Sequence, residues 1–318
     1  MIRAIALLIL ALAVPAGAFE LAPFKLTWPA DCILGDTCHI QQYFDRDPGP
    51  AATDFTCGTL SYDGHDGTDI ALISRTEMAE GIAVLSAAPG VVKGVRDGVQ
   101  DFVPNVAGKE CGNGVVIDHA DGWQTQYCHM RDGSVLVKPG DLVVTGTKLG
   151  LIGQSGMADF PHLHLSVRHN GTKIDPFEPD PTATCNATPG TQLWANPVAY
   201  EPGGFLSAGF TTAVPKFDAI RAGLPTNPLA RDAPGLALWA YVFGSHAGDE
   251  LQFTIIGPIG EVLKTTTTLE KTQAQLFRAN GIRVPEGGWP DGTYNGTIAM
   301  MRAGTKIDEI TTKVQVGP

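Results

Sequence analysis

From Asp63 to about Val167 the apolar residues come in short runs punctuated by glycine: Ile82–Leu85, Gly90–Val95, Val115–Ile117, Val135–Val137, Leu142–Val144 and Leu149–Ile152. Runs of this length bounded by Gly and Pro predict strands. Ala120-Asp121-Gly122, Lys138-Pro139-Gly140 and Thr145-Gly146 supply turn residues between them, and turns this tight join antiparallel neighbours. A second set, Leu236–Phe243, Glu250–Ile256, Glu261–Thr267, Gly292–Met301 and Lys306–Val316, alternates or runs apolar at spacings that suit a β-sandwich of about 100 residues. Between the sets, Asp175 to about Leu206 is rich in Pro, Gly, Thr and Asn and reads as the end of one domain followed by a linker. Ahead of both, Phe19 to Pro50 shows no sustained period and ends in Asp-Arg-Asp-Pro-Gly-Pro, a loop-rich opening.

The first residues change the picture. Met1-Ile2-Arg3, an apolar run to Val14, and small residues at Ala16 and Ala18 have the form of a cleaved secretory leader, too short to span a membrane. No cysteine sits at that junction, and no later apolar run is long enough to cross a bilayer. The expectation is an exported protein, periplasmic or secreted, divided as leader 1–18, first domain 19–185, linker 186–206 and second domain 207–318. A formal net charge of −11 argues against nucleic acid as a partner. Six cysteines, Cys32, Cys38, Cys57, Cys111, Cys128 and Cys185, predict three disulfides in an oxidising compartment. The favoured pairing is Cys32 with Cys38, followed by Cys111 with Cys128 and Cys57 with Cys185.

The chemistry gathers in Pro161-His162-Leu163-His164-Leu165-Ser166-Val167. On a strand His162, His164 and Ser166 share one face, and Leu163, Leu165 and Val167 share the other. Two imidazoles side by side over an apolar backing fit a metal site, and a surface histidine pair on a half-buried strand fits this stretch alone as well. Upstream, Gly64-His65-Asp66-Gly67-Thr68-Asp69 places His65 and Asp69 on a loop entering a strand, because Gly64 and Gly67 disfavour a helix. In Trp123-Gln124-Thr125-Gln126-Tyr127-Cys128-His129-Met130, strand alternation predicts Tyr127 and His129 on one face.

Gly64-His65-Asp66-Gly67-Thr68-Asp69, Gly112-Asn113-Gly114-Val115-Val116-Ile117-Asp118-His119, Tyr127-Cys128-His129, Val137-Lys138-Pro139-Gly140-Asp141 and Pro161-His162-Leu163-His164-Leu165, in that order, resemble the motifs of lysostaphin-type (LytM-like) zinc metallopeptidases, which cut peptide bonds in peptidoglycan. The resemblance runs from about Asp63 to Val167 and covers neither the cysteine-rich opening nor the second domain. It implies one zinc ion per chain held by His65, Asp69 and His164, with His129 and His162 as catalytic histidines. It also implies an open groove, which Phe160 narrows where family members commonly carry small residues. His39, His119, His169 and His246 have no role in the matched motifs, and His119, at an apparent hairpin end, is expected to face solvent.

The fold class expected is therefore mainly β. It combines an antiparallel LytM-like catalytic domain (the duplicated hybrid motif) with a C-terminal β-sandwich of immunoglobulin-like type that contacts wall or protein. The function expected is that of an exported zinc metalloendopeptidase acting on peptidoglycan cross-links or stem peptides. The alternatives are a non-catalytic LytM-like activator of a cell-wall amidase and a secreted peptidase acting on glycine-rich protein.

Overall fold

The computed structural model describes residues 23–104, 107–183 and 192–317. The expected secretory leader and the expected Cys57–Cys185 pairing fall outside the described residues. Glycine turns and β-branched runs produce ten strands in the first part: β1 (Cys38–Gln42), β2 (Thr68–Leu72), β3 (Ala83–Leu85), β4 (Gly90–Arg96), β5 (Asn113–Asp118), β6 (Trp123–Met130), β7 (Leu142–Val143), β8 (Lys148–Leu151), β9 (His162–His169) and β10 (Thr172–Ile174). They form one sheet in the order β1-β2-β9-β6-β5-β4-β7, with β10 beside β9, and a small β3-β8 pair. Every named pairing is antiparallel. One short helix, α1 (Arg75–Glu80), is capped by Ser74 and stopped by Gly81 at φ 94°, a left-handed position that glycine adopts without a Cβ clash.

One face of the large sheet builds the core. Ile70, Val115, Ile117, Tyr127, Leu163, Leu165 and Val167 are each no more than 1% exposed, and the Tyr127 hydroxyl accepts from the Ala87 N–H at 2.8 Å. The opposite face carries the polar residues of β2, β9 and β6. Val135–Val137 does not become a strand. Its valines pack on the core, but only Leu136 makes a backbone bond, to Leu149 at 2.9 Å. Cys32–Cys38 and Cys111–Cys128 are disulfide-bonded.

The second part has a three-stranded sheet, β11 (Gly204–Thr211), β12 (Gly235–Ser245) and β15 (Gln273–Arg283). It faces a four-stranded sheet of β14 (Gly260–Thr268), β13 (Glu250–Gly257), β16 (Gly292–Arg302) and β17 (Thr305–Val316). Leu238, Ala240 and Val242 of one sheet share a core with Leu251, Phe253, Ile298 and Met300 of the other. A helical turn, α2 (Phe217–Arg221), lies between β11 and β12. Strands β11 and β15 are not apparent in the sequence pattern. In Gln273-Ala274-Gln275-Leu276-Phe277-Arg278-Ala279 the alternation is weak, and strand structure comes from full-length pairing with β12.

All eleven residues of β12 are buried, so both of its faces are covered. Trp239, Tyr241 and Phe243 point away from the sandwich core into a cluster with Ile220 and, from the first part, Ile73. On the neighbouring β1, His39 and Gln41 lie on the sheet face opposite Ile40 and turn toward this cluster. The His39 ring sits 4.7 Å from Phe243, Gln275 donates to Gln41 Oε1 at 2.7 Å, and Gln41 donates to the Ala274 carbonyl at 2.9 Å. Part of the stretch assigned to a linker is also packed. Leu193 and Trp194 belong to the first core, and the Tyr200 hydroxyl donates to Asp54 at 2.8 Å.

His39 makes this contact pH-sensitive. Burial holds its pKa down at about 4 despite the bond to Gln41, against about 6.5 in the unfolded chain. The folded state thus keeps a neutral ring. Its stabilisation is fully present above pH 6.5 and is lost as pH falls from 6.5 toward 4, by about 3 kcal/mol in all. Thermal unfolding of wild type and His39→Gln between pH 7.5 and 4 should show wild type losing stability more steeply below 6.5. Parallel pH curves would sink this assignment.

Candidate metal centre and active site

Strand register assembles the site. Because β2 and β9 pair with Asp69 opposite His164 and Ala71 opposite His162, these side chains emerge on one face as immediate cross-strand neighbours. His65 arrives from the loop before β2. Gly67 makes that approach possible, since a Cβ there would stand 2.6 Å from His164 Nε2 and 2.7 Å from the Leu165 carbonyl.

His65, Asp69 and His164 converge. His65 Nε2 lies 3.2 Å from both His164 Nδ1 and Asp69 Oδ1, and His164 Nδ1 lies 2.8 Å from Asp69 Oδ1. The outer bonds fix the tautomers. His65 Nδ1 is 2.6 Å from the Tyr43 carbonyl and so carries its hydrogen there, leaving a lone pair on Nε2. His164 Nε2 is 3.2 Å from Asp66 Oδ1 and 3.0 Å from Ser166 Oγ, which places its hydrogen on that side and a lone pair on Nδ1. With His164 in its neutral form, two nitrogen lone pairs and a carboxylate oxygen thus face one point, where either a proton or a metal cation can sit. Burial opposes charge on His164, yet Asp66 and Asp69 outweigh it and hold the ring at about 9, so the metal-free ring keeps a second proton on Nδ1 toward Asp69, which a metal ion would displace. Burial likewise works against the Asp69 carboxylate, and His65, His162 and His164 overcome it and keep the carboxyl well below its usual range. Two imidazoles and a carboxylate with backbone and carboxylate partners behind them form a donor set that suits zinc.

Two further imidazoles flank this point. His162 Nδ1 is tied to the Phe160 carbonyl at 2.9 Å and His129 Nδ1 to the Ser155 carbonyl at 2.8 Å, so each ring presents Nε2. The two rings stand 4.5 Å apart, and His162 Nε2 is 3.6 Å from Asp69 Oδ1. Burial pushes both pKa values down, that of His129 to about 3 with His162 and His164 adding to the effect. Both rings are therefore neutral at pH 7.

His129 does not reach the site by strand alternation. Tyr127 opposes Leu165 and Cys128 opposes His164, so Tyr127 belongs to the core face and strict alternation would bury His129 with it. Instead β6 bulges: the step from Asn113 to Val115 on β5 matches the longer step from Met130 to Tyr127. His129 takes φ 61°, a left-handed conformation uncommon for residues other than Gly. The Cys111–Cys128 disulfide and the bond from His129 N–H to the Cys111 carbonyl at 2.8 Å hold the bulge. The expectation of Tyr127 and His129 on one face is thus corrected. His119 also departs from expectation: its ring nitrogens lie 2.8 Å from the Pro89 carbonyl and 2.8 Å from Thr125 Oγ1, so it braces the hairpin instead of facing water.

Beside the cluster is a cavity of about 440 Å³ lined by His65, His129, His164, Glu110, Ser166 and Arg168 among others. Asp66 and Arg168 were missed by the sequence reasoning. The period-2 face of His162, His164 and Ser166, continued one step, contains Arg168.

The peptidase family M23 profile matches residues 63–176, and the five-residue constellation lies wholly within them. Residues 63–176 are a peptidase family M23 domain. The chain is 36% identical over 100 residues to the cell division protein DipM of Caulobacter vibrioides, covering 31% of this chain and 15% of DipM. It is 32% identical over 111 residues to the peptidoglycan DD-endopeptidase ShyA of Vibrio cholerae, covering 35% of this chain and 22% of ShyA. The matches thus span about a fifth of the length of these curated relatives. Among solved structures, the catalytic domain of the M23 protein EnpA from Enterococcus faecalis is 25% identical, covering 45% of this chain and 92% of that one, with a TM-score of 0.32.

Proposed function

We propose that this chain is an exported zinc metalloendopeptidase that hydrolyses peptide bonds in peptidoglycan cross-links or stem peptides. The observation that carries the reading is the convergence of the lone pairs of His65, Asp69 and His164 on one point, with the free Nε2 atoms of His129 and His162 beside it. Curated relatives named as peptidoglycan DD-endopeptidases support the substrate class. The Cys32–Cys38 and Cys111–Cys128 disulfides support an oxidising compartment.

In this reading His65, Asp69 and His164 hold one zinc ion. Zinc supplies Lewis acidity, lowering the pKa of water from about 16 toward 7 and polarising a carbonyl. The proton work falls to this chain's own histidines. Neutral at pH 7, His129 and His162 each offer Nε2 as an acceptor within a groove that also binds the peptide, and Asp69 at 3.6 Å stabilises His162 once it is charged. Whichever ring takes the water's proton becomes a charged Nε2–H donor to the oxyanion and then returns that proton to the leaving amine. The backbone carbonyls of Ser155 and Phe160 fix both rings and so reduce reorganisation. The C-terminal sheets offer a surface for wall or protein.

Digesting purified peptidoglycan and a glycine-rich protein side by side, with and without chelator, tests the proposal. New peptide fragments from peptidoglycan, abolished by chelator and restored by zinc, are expected. A zinc-loaded protein that cleaves neither substrate would overturn the enzymatic reading, and cleavage of the glycine-rich protein alone would move the substrate.

A further inference from the structure

The groove floor continues past the histidines along β9 and β6. Ser166 lies opposite Gln126 and Arg168 opposite Gln124. The Arg168 guanidinium donates to Gln126 Oε1 at 2.9 Å and to Gln124 Oε1 at 3.5 Å. Both amides are oriented from behind: Gln124 Nε2 donates to Asp118 at 2.8 Å, and Gln126 Nε2 lies 3.4 Å from Cys111 Sγ. Their carbonyl oxygens therefore point at Arg168. Among the described residues no carboxylate forms an ion pair with Arg168, and it is the only Lys or Arg lining the groove cavity. Its cross-strand neighbour Lys173 is different, since its ammonium is held by Asp66 at 2.7 Å. In a chain of net charge −11, a positioned guanidinium with only neutral partners keeps its charge available to a ligand.

We propose that Arg168, racked by Gln124 and Gln126, is a carboxylate-binding subsite of the groove. It selects peptides that carry a free carboxylate about two to four residues from the bond at the histidines. A peptide extended along β9 advances about 3.3 Å per residue, and Arg168 lies four positions beyond His164 on the same strand face while lining the same cavity as His164 and His129. A guanidinium fork matches a carboxylate in geometry and charge, and half-burial limits the screening that weakens exposed pairs.

For hydrolysis this rests on the peptidase reading, but binding does not. The test uses a cross-linked stem-peptide dimer from peptidoglycan and the same dimer with its carboxylates amidated. Zinc-loaded wild type, Arg168→Lys and Arg168→Gln are compared for kcat/KM and, separately, for affinity by fluorescence anisotropy with a labelled dimer. Wild type should prefer the carboxylate dimer by about 10-fold to 100-fold, as expected of a charge-assisted hydrogen-bonded pair. The preference should shrink in Arg168→Lys and fall to about one in Arg168→Gln, with the change mainly in KM. If no variant hydrolyses either dimer but affinities follow this order, the subsite stands and the peptidase reading fails. Equal use of both dimers by wild type, or a preference that survives in Arg168→Gln, would overturn the subsite.

Discussion

His164→Ala is expected to lose its zinc and its hydrolytic activity together. The substitution removes one of three converging donors and leaves the Asp69 carboxylate, whose side chain is 5% exposed, without its partner at 2.8 Å. Zinc bound by three protein ligands depends on each of them, and a binding-competent site with two is rarely retained. The peptidase rate should fall by at least about 10³-fold, since both water activation and carbonyl polarisation go with the metal. A modest loss of stability, on the order of 1–3 kcal/mol, should accompany loss of the buried carboxylate's shortest contact, with only His65 at 3.2 Å and His162 at 3.6 Å remaining. Metal analysis of the purified variant, made alongside a peptidoglycan digestion, checks both parts. Stoichiometric zinc in His164→Ala would remove this residue from the ligand set.

Loss of either flanking histidine should have a different signature: His162→Ala and His129→Asn should keep zinc and lose about 10²-fold to 10⁴-fold in kcat. His162 and His129 present Nε2 beside the metal point but are not among the three converging donors, His65, Asp69 and His164, so removing them vacates none of those donor positions. Asparagine is the better replacement at 129 because it tolerates φ 61°, whereas alanine retains the strain without a polar side chain. If the pair shares one proton-transfer task, the double variant should be little worse than either single one. Zinc analysis with single-turnover hydrolysis decides it. Zinc lost from His162→Ala, or full activity in both variants, would contradict these roles.

The contrast between these variants traces to how each residue reaches the site. For His162 and His164 the route is local, because an apolar residue at every second position of β9 commits that face to the core and leaves the histidines on the other. Asp69 follows from the same logic on β2 once the strand is paired. His65 is legible only as a loop residue flanked by glycines, and its distance to His164 depends on Gly67 letting the loop lie against β9. His129 is the clearest exception, since alternation would send it into the core with Tyr127. Motif order pointed to His129, but the residue comes into place only through a bulge held by a disulfide. Arg168 needed one more step of a visible alternation. Its significance depends on Gln124 and Gln126 from another strand, and on the absence of a carboxylate partner among the described residues.

By itself the sequence determined the mainly antiparallel β architecture, the polar face of β9 and the order of the metal and histidine motifs. These depend on period-2 alternation and on turn residues, which act over a few neighbours and are written locally. The tertiary structure alone decided the bulge that turns His129 toward His162, strand formation in the weakly patterned β15, and the packing of β12 against His39 and Ile73. Each depends on partners distant in the chain, whose register and burial are fixed by the sum of many contacts across sheets, a quantity no short stretch of sequence contains.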